Sequence, residues 1–327
     1  MTPKVSIIIP VYNGSNFLYQ AIDSAINQTY KNIEILVIND GSDDGEATEK
    51  ISKSFGSIIS YYYKPNGGVA SALNFGIEKA SGDFISWLSH DDVYLPSKIE
   101  DQLRLITDNS VVFSDFFLAD QNLNIKNFSL DKKYISSLPC FLLISKQLHG
   151  CTVLAPIKLL KKFRFNETLK VTQDYDLWFR ISKTYKFTFL NKKTIISRMH
   201  NSQHSRNLSR IEVDEILSMN YSLLDFLITS KEKFEFPLLF TLPIIYLILI
   251  WRHSLLGELR LSKKVFLLFV QNELLSNSLI KSFLRIFYLI FLLIIFLIGI
   301  LISFVYRNLT PSLFKSIARK LFKALNL

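Results

Sequence analysis

Short apolar runs alternate with segments of helical periodicity through the first part of the chain. Four of these runs are predicted strands, at residues 5–9, 33–38, 58–63 and 84–88, and the first and the fourth have the composition of buried strands. Between the first two runs, apolar side chains recur at helical spacing, at Leu18, Ala21, Ile22 and Ala25. This β–α alternation predicts an α/β fold with a mostly parallel sheet and helices on both of its faces.

Polar side chains stand where three of these predicted strands end. Tyr12 and Asn13 follow the first strand, Asp40 follows the second, and Asp91 and Asp92 follow the fourth. Open α/β sheets bind ligands at the carboxyl ends of their strands, so we expect these side chains to converge. Two adjacent carboxylates at that edge suit Mg²⁺ or Mn²⁺, which also bind phosphate oxygens. The alternative is a solvated turn that caps the next helix, because Asp is a preferred N-cap residue.

Composition and missing motifs narrow the class of ligand. No GxGxxG follows the first strand and no GxxxxGK[ST] is present, so a nucleotide would be held by side chains and metal. The 327-residue chain has a net charge of +10, which favours phosphorylated substrates or anionic lipid, and no nucleic-acid motif is found.

The chain has two cysteines, Cys140 and Cys151, and they lack a CxxC spacing and cannot form a metal site on their own. So few cysteines suggest a reducing compartment. No signal peptide is visible at the start of the sequence.

Four motifs occur in order along the N-terminal region. They are VSIIIPVYN at residues 5–13, QTY at 28–30, NDGSDDG at 39–45 and WLSHDD at 87–92. Together they resemble the family 2 glycosyltransferases, which are inverting enzymes of the GT-A (nucleotide-diphospho-sugar transferase) fold. The resemblance implies a GT-A domain over residues 1–205 and a nucleotide sugar as the donor.

The resemblance also implies roles for individual residues. The loop after the first strand would cup the base of the nucleotide, Asp40 would contact it, and Asp91 and Asp92 would bind ribose and the metal-diphosphate. An Arg-x-His segment would fold over the diphosphate, although its two residues could also be ordinary polar groups at a strand end. The predicted donor-binding residues are Pro10, Tyr12, Asn13, Asp40, Asn66, Gly68, Asp91, Arg198 and His200, and the predicted ligands of Mg²⁺ or Mn²⁺ are Asp91 and Asp92. Ser89 stands where the commoner family motif has a further Asp, so this site has fewer carboxylates.

A second polar cluster, QDYDLWFR, occupies residues 173–180, and the spacing of its apolar residues predicts a helix that begins near Asp174. The cluster resembles the Glu-Asp motif of the family, with Gln173 in place of Glu. The resemblance implies that Asp174 is the general base that deprotonates the acceptor hydroxyl. The alternative is a carboxylate that only stabilises the N-terminus of its helix. The segment HGCT at 149–152 resembles segments near the acceptor pocket.

The remainder of the chain is strongly apolar. We predict a linking helix over residues 206–233 and a membrane-associated helical tail over 234–327. Residues 286–305 carry no charge and are long enough to span a bilayer, which predicts a transmembrane helix at 286–306, with a buried core helix as the alternative. An earlier apolar block is shorter and contains prolines, so one span, two spans or an interfacial segment are all compatible with the pattern. Residues 310–325 have the pattern of an amphipathic helix that lies on anionic lipid.

The resemblance, taken with the apolar tail, implies a membrane-attached, inverting glycosyltransferase. It would move a sugar from a UDP- or dTDP-linked donor to a hydroxyl of a lipid-linked or membrane-proximal glycan, in bacterial surface polysaccharide synthesis. The expected location is the inner (cytoplasmic) membrane, with contacts to membrane lipid and with the catalytic domain in the cytoplasm. One alternative is a nucleotidyltransferase that makes a nucleotide sugar, but its glycine-rich first loop is missing. The other is a non-catalytic membrane assembly factor, suggested by Ser89 and Gln173 in place of acidic residues.

Overall fold

The computed structural model describes residues 2–126, 128–130, 132, 135–145, 147–200 and 209–229. The strands are β1 (Val5–Val11), β2 (Ile33–Asn39), β3 (Ser60–Tyr63), β4 (Phe84–Trp87), β5 (Val93–Tyr94), β6 (Ser110–Ala119), β7 (Ile125–Lys126), β8 (Leu154–Pro156) and β9 (Lys186–Arg198). The helices are α1 (Leu18–Ile26), α2 (Ala47–Ser54), α3 (Val69–Lys79), α4 (Lys98–Leu103), α5 (Leu138–Cys140), α6 (Ile157–Phe163), α7 (Gln173–Ser182) and α8 (Arg210–Thr229). All of these elements belong to one compact unit, Met1–Lys231.

The strands form a single sheet in the order β3-β2-β1-β4-β8-β6-β9-β5, with β7 paired to β6. The half from β3 to β4 is parallel, as the β–α alternation predicted. The other half is mixed: β9 runs parallel to β6, whereas β8 runs antiparallel to β4 and β6, and β5 runs antiparallel to β9. The prediction of a mostly parallel sheet is therefore confirmed only in part. The pair β6–β7 is also antiparallel, because a short turn joins these two strands directly.

Strand β1 continues past Pro10, where the sequence predicted its end. Successive residues of a strand direct their backbone groups to opposite neighbours, and Ile8 faces β4 because its carbonyl accepts the Leu88 N–H at 3.0 Å. Pro10 faces the same side, but the β1–β4 pairing ends at Trp87. The N–H that proline lacks is therefore not required there, and the strand runs on to Val11.

The sheet has a topological switch point between β1 and β4. The chain moves outward from β1 to β2 and β3 and then returns to place β4 on the other side of β1. Right-handed crossovers then put α3 on the opposite face from α1 and α2. Gly76 allows α3 to approach closely, since a Cβ there would lie 2.5 Å from the Ile8 side chain. The crevice at the carboxyl ends of β1 and β4 is thus the expected ligand site of this topology.

Helix α8 packs against α7, where the rings of Phe179 and Phe226 are 5.3 Å apart. Glu215 of α8 binds the segment that leads into α7. Its carboxylate accepts backbone N–H groups from Lys170 (2.7 Å), Val171 (2.9 Å) and Thr172 (2.7 Å). Glu215 therefore holds residues 170–172, which precede α7, by accepting backbone N–H groups that would otherwise lack a hydrogen-bond acceptor.

Replacing Glu215 with Ala is expected to destabilise this unit by about 1–3 kcal/mol, because several backbone donors lose their acceptor. Burial favours a higher pKa for Glu215, but the hydrogen bonds from residues 170–172 outweigh it and hold the pKa below its ordinary value. A lowered carboxyl pKa contributes stability above the unfolded pKa, and that stability is lost as the pH falls through the folded value. Thermal unfolding should therefore show a difference between wild type and variant that shrinks in acid. Replacing the exposed neighbour Asp214 with Ala is the matched control and should change little.

No helix in the described part of the chain combines the length and the apolar character that crossing a bilayer requires. The predicted membrane-associated tail at 234–327, with its transmembrane helix at 286–306 and terminal amphipathic helix at 310–325, lies outside the described residues. So do the last residues of the predicted linking helix.

Candidate active site

Asp40 comes directly after β2 and is 3% exposed. Its carboxylate accepts the N–H groups of Gly67 (3.1 Å) and Gly68 (2.7 Å), and it pairs with Lys64 at 2.6 Å. Asn66 belongs to the same segment and lies against Gly41, where a Cβ would be 2.6 Å from the Asn66 nitrogen. Asp40 therefore fixes residues 64–68 at the end of β2, and its predicted contact with a nucleotide base stays a prediction.

The loops after β1 and β2 are joined by Asn13. Its backbone is left-handed (φ 50°), a conformation that Asn tolerates better than most residues. Its N–H donates to Ser42 Oγ at 2.9 Å, and its amide exchanges hydrogen bonds of 2.6 and 2.9 Å with Asp43. Tyr12, beside it, is 47% exposed. The loop predicted to bind the nucleotide base is therefore ordered by the hydrogen bonds of Asn13, and it exposes the ring of Tyr12.

Asp91 and Asp92 are adjacent in sequence, but their carboxylates have different partners. Asp91 Oδ2 lies 3.0 Å from His200 Nε2. Asp92 is 3% exposed. Its Oδ1 accepts the backbone N–H of Arg198 at 3.0 Å, and its Oδ2 lies 3.4 Å from His149 Nε2. Asp91 is therefore the more accessible of the two predicted metal ligands, and Asp92 lies behind it.

The surroundings separate the two carboxyl groups electrostatically. Burial favours a higher pKa for Asp91, but the neighbouring His90 and the hydrogen bond from His200 outweigh it and hold the pKa below its ordinary value. Burial, reinforced by the charge of Asp91, raises the pKa of Asp92 well above its ordinary value. Asp91 is consequently the carboxylate that is ionised near neutral pH and best suited to a hard divalent cation.

Arg198 ends β9 and is only 2% exposed. Its guanidinium donates to the carbonyls of Asp91 (2.8 Å) and Gln121 (2.5 Å) and to the Gln20 side chain (2.6 Å), and it lies over the ring of Phe17 at 4.2 Å. These contacts order the loops at the end of the sheet, as expected for a structural residue at a strand end. The predicted contact of Arg198 with a diphosphate stays a prediction.

His200 occupies a different position from Arg198. Its ring lies 5.1 Å from that of Phe17, and its Nε2 faces the Asp91 carboxylate. One carboxylate oxygen and one imidazole nitrogen thus converge at the carboxyl end of β4. This pair could hold a divalent cation that also contacts a diphosphate.

His149 and Cys151 were not predicted to belong to the acidic motif. His149 caps a 3₁₀ turn, Gly150–Thr152, that contains Cys151 and leads into β8. Their ligand atoms and one carboxylate oxygen of Asp92 all lie within 4.8 Å of one another. The sequence held one signal, a His and a Cys two residues apart before an apolar strand, but only the β4–β8 pairing brings them to Asp92.

Asp174 lies in the first turn of α7, where its Oδ1 accepts the Tyr175 N–H at 2.8 Å. Burial raises the pKa of Asp174 to about 6, against the lowering effect of these backbone N–H groups. The backbone N–H groups at the start of α7 favour a lower pKa, so burial is the larger of the two opposing effects. A value near 6 suits a general base that works at neutral pH. The role of Asp174 as general base stays a prediction. Asp176 instead pairs with Arg180 at 2.8 Å and supports the helix locally.

Helix α7 is held beside the end of β4 by aromatic packing. The ring of Phe165 contacts Trp87 of β4 with centroids 5.9 Å apart, and Trp178 of α7 with centroids 6.3 Å apart. The helix that carries Asp174 and the strand that leads to Asp91 therefore share one aromatic cluster.

Comparison with known proteins gives this geometry a context. Residues 6–169 match the family described as glycosyl transferase family 2. An uncharacterized glycosyltransferase of Rickettsia typhi is 46% identical over 229 residues, which are 66% of this chain and 70% of that protein. The chondroitin synthase of Pasteurella multocida is 32% identical over 234 residues, 68% of this chain and 23% of the synthase. In three other rickettsial relatives the match spans 31–36% of their length.

The fold also resembles that of a solved structure, S. aureus TarS (residues 1–349) in complex with UDP-GlcNAc. The TM-score is 0.55 at 19% identity, over 76% of this chain and 72% of that one. This likeness concerns the fold alone. It confirms the predicted α/β architecture of the GT-A type, with a mixed sheet.

Proposed function

The chain belongs to glycosyl transferase family 2, and we propose that it transfers a sugar from a UDP- or dTDP-linked donor to a hydroxyl of a glycan, with inversion at the anomeric carbon. The observation that carries this proposal is the Asp91–His200 pair at 3.0 Å, at the carboxyl end of β4 beside the switch point of the sheet. A cation bound there would lie where open α/β sheets receive a phosphorylated ligand.

The nucleotide would lie across the ends of β1 and β2. Exposed Tyr12 offers a ring for the base, and the loops that carry Asn13 and Asp40 are already ordered by their mutual hydrogen bonds. Pro10, Asn66 and Gly68 would line the same end. The complex of TarS with UDP-GlcNAc supports a nucleotide sugar as the donor, because the two folds correspond over most of this chain.

A divalent cation, Mg²⁺ or Mn²⁺, would be held by Asp91 with His200, and Asp92 would support it from behind. When bound, it would offset the charge of the departing nucleoside diphosphate. Arg198 would keep the loops of the site in place through its contacts with Asp91 and Gln121.

Asp174 would supply the base. Its carboxylate would take the proton of the acceptor hydroxyl while the hydroxyl oxygen bonds to the anomeric carbon from the face opposite the diphosphate. The bond to the diphosphate oxygen breaks with its electron pair, so the nucleoside diphosphate leaves and the configuration inverts. A single displacement needs no nucleophilic side chain.

The acceptor is proposed to be a lipid-linked or membrane-proximal glycan of a bacterial surface polysaccharide. Two observations support this: the charge-free run at residues 286–305, and the similarity to a chondroitin synthase, which is a polysaccharide synthase. The same run favours the cytoplasmic membrane as the location, with the transferase domain on the cytoplasmic side.

Titration calorimetry of the purified full-length chain with UDP, dTDP and their sugars, with Mn²⁺ or with EDTA, tests the donor assignment. We expect binding of at least one of these nucleotides that weakens at least tenfold in EDTA, because a cation held by Asp91 would offset the charge of the diphosphate. The variant Asp108→Asn, at an 81% exposed side chain, should bind like wild type. Folded protein that binds none of the nucleotides would contradict the proposal.

A further inference from the structure

We propose that Asp92, His149 and Cys151 form a binding site for one thiophilic divalent cation of the Zn²⁺ class. Asp92 lies between β4 and β5, whereas His149 and Cys151 lie at and within the turn before β8, so such an ion would cross-link two loops. The site is separate from the Asp91–His200 pair, and the inference does not depend on sugar transfer.

The spacing of the ligand atoms fits a tetrahedral ion. Asp92 Oδ2 and His149 Nε2 are 3.4 Å apart. Zinc bonds of about 2.0–2.1 Å to oxygen and nitrogen place two tetrahedral ligands about 3.3–3.4 Å apart. Cys151 Sγ lies within 4.8 Å of a ring nitrogen of His149 and of a carboxylate oxygen of Asp92, and a zinc–sulfur bond is longer than the other two, at about 2.3 Å.

The donor set selects the class of metal. A thiolate, an imidazole and a carboxylate are typical zinc ligands, and the thiolate in particular is a poor ligand for Mg²⁺ or Mn²⁺. Three protein ligands leave the fourth position for water. We therefore expect the two metal positions of this molecule to differ in preference, with the hard cation at Asp91 and His200.

Neighbouring groups already orient these ligands. The Ser89 N–H donates to Cys151 Sγ at 3.2 Å, which would stabilise a thiolate. The Arg198 N–H donates to Asp92 Oδ1 at 3.0 Å, on the carboxylate oxygen that does not face His149. Both are backbone donors, so the support for the ligands is built into the fold.

Two of the three ligand side chains are enclosed by the protein, since Asp92 is 3% exposed and Cys151 is fully buried. A bound dication would offset that burial, and the coordinating thiol would release its proton. The His149 side chain is 27% exposed, which gives an ion access from solvent.

Binding also requires a change at His149. Its Nδ1 accepts the Cys151 N–H at 3.3 Å, so Nε2 carries the ring proton. Coordination through Nε2 moves this proton to Nδ1 and ends that hydrogen bond. We therefore expect metal binding to weaken steeply in acid, as protons compete for the thiolate and the imidazole.

Cobalt substitution tests the site without any substrate. The full-length chain, stripped of metal and kept reduced, is titrated with Co²⁺, which reports thiolate ligation through a sulfur-to-cobalt charge-transfer band in the near ultraviolet. We expect a band that saturates at one Co²⁺ per chain, disappears on addition of Zn²⁺, and survives excess Mg²⁺. Zn²⁺ should also raise the thermal unfolding midpoint.

Matched variants locate the ligands. Cys151→Ser and His149→Gln should each abolish or strongly weaken the band, whereas Cys140→Ser, at the other buried cysteine, should keep it. Asp91→Asn should keep it as well, which separates this site from the proposed catalytic cation. Absence of a band in folded wild-type protein, or a band that persists in both Cys151→Ser and His149→Gln, would overturn the inference.

Discussion

Replacing Asp91 with Asn is expected to lower the rate of sugar transfer by about 10³-fold or more, because a catalytic cation stabilises transition-state charge by several kcal/mol and each 1.36 kcal/mol is a factor of ten. Asp91 is the carboxylate with the lowered pKa and the contact to His200. The variant keeps the shape of the side chain and removes its charge. The measurement is the initial rate of nucleoside diphosphate release at saturating donor, together with Mn²⁺ affinity from electron paramagnetic resonance.

Asp108→Asn is the matched control for this variant. Asp108 is 81% exposed and makes one surface ion pair with Lys158 at 3.5 Å, so its replacement should leave both the rate and the Mn²⁺ affinity unchanged. An Asp91→Asn protein that retains wild-type Mn²⁺ affinity and more than a tenth of the rate would show that the cation is held elsewhere.

Replacing Asp174 with Asn is expected to lower kcat by about 10²–10⁴-fold, the range typical of losing a general base. The wild-type rate should rise with pH through about 6 and level off above about 7, because burial raises the pKa of Asp174 to about 6 and only the ionised form accepts the acceptor proton. In the Asp174→Asn variant, the rate should no longer rise with pH in this range. The readout is kcat against pH at saturating donor and acceptor.

Asp176→Asn tests whether the effect belongs to Asp174 or to any carboxylate in this turn of α7. Asp176 pairs with Arg180, so its loss should lower stability by about 1 kcal/mol at most and leave kcat within a few-fold. Equal losses in the two variants, or a wild-type rate that falls as the pH rises from 5 to 7, would remove Asp174 from the role of base.

The parts of the fold that follow from local pattern could be predicted from the sequence. Strands β1, β2 and β4 coincide with the predicted apolar runs, and Leu18, Ala21, Ile22 and Ala25 are all buried along α1 as their spacing predicted. The predicted third strand begins only at Ser60, because Ile58 belongs to a 3₁₀ turn, and this strand is half-buried. The convergence of Asp40 and Asp91 follows from the same alternation, because parallel strands place their carboxyl ends on one edge.

The features that depend on long-range pairing could not be predicted. Ser86 of β4 pairs with Leu154 of β8, and this pairing helps to bring Cys151 and His149 close to Asp92. Nothing near Asp92 in the sequence indicates that it is buried while its neighbour Asp91 stays accessible. The environment of Arg198 likewise arises from Gln20 and Gln121, which are distant in sequence.

The central claim is that this chain consumes a nucleotide sugar, and the most direct test is to identify the phosphorylated product. The full-length protein is incubated with Mn²⁺ and a panel of UDP- and dTDP-sugars, and in parallel with nucleoside triphosphates and sugar phosphates. We predict release of nucleoside diphosphate from at least one donor, abolished by EDTA and in Asp91→Asn. Release of inorganic diphosphate from the second set of reactants, or no product in either set from folded protein that binds the donor, would contradict the account.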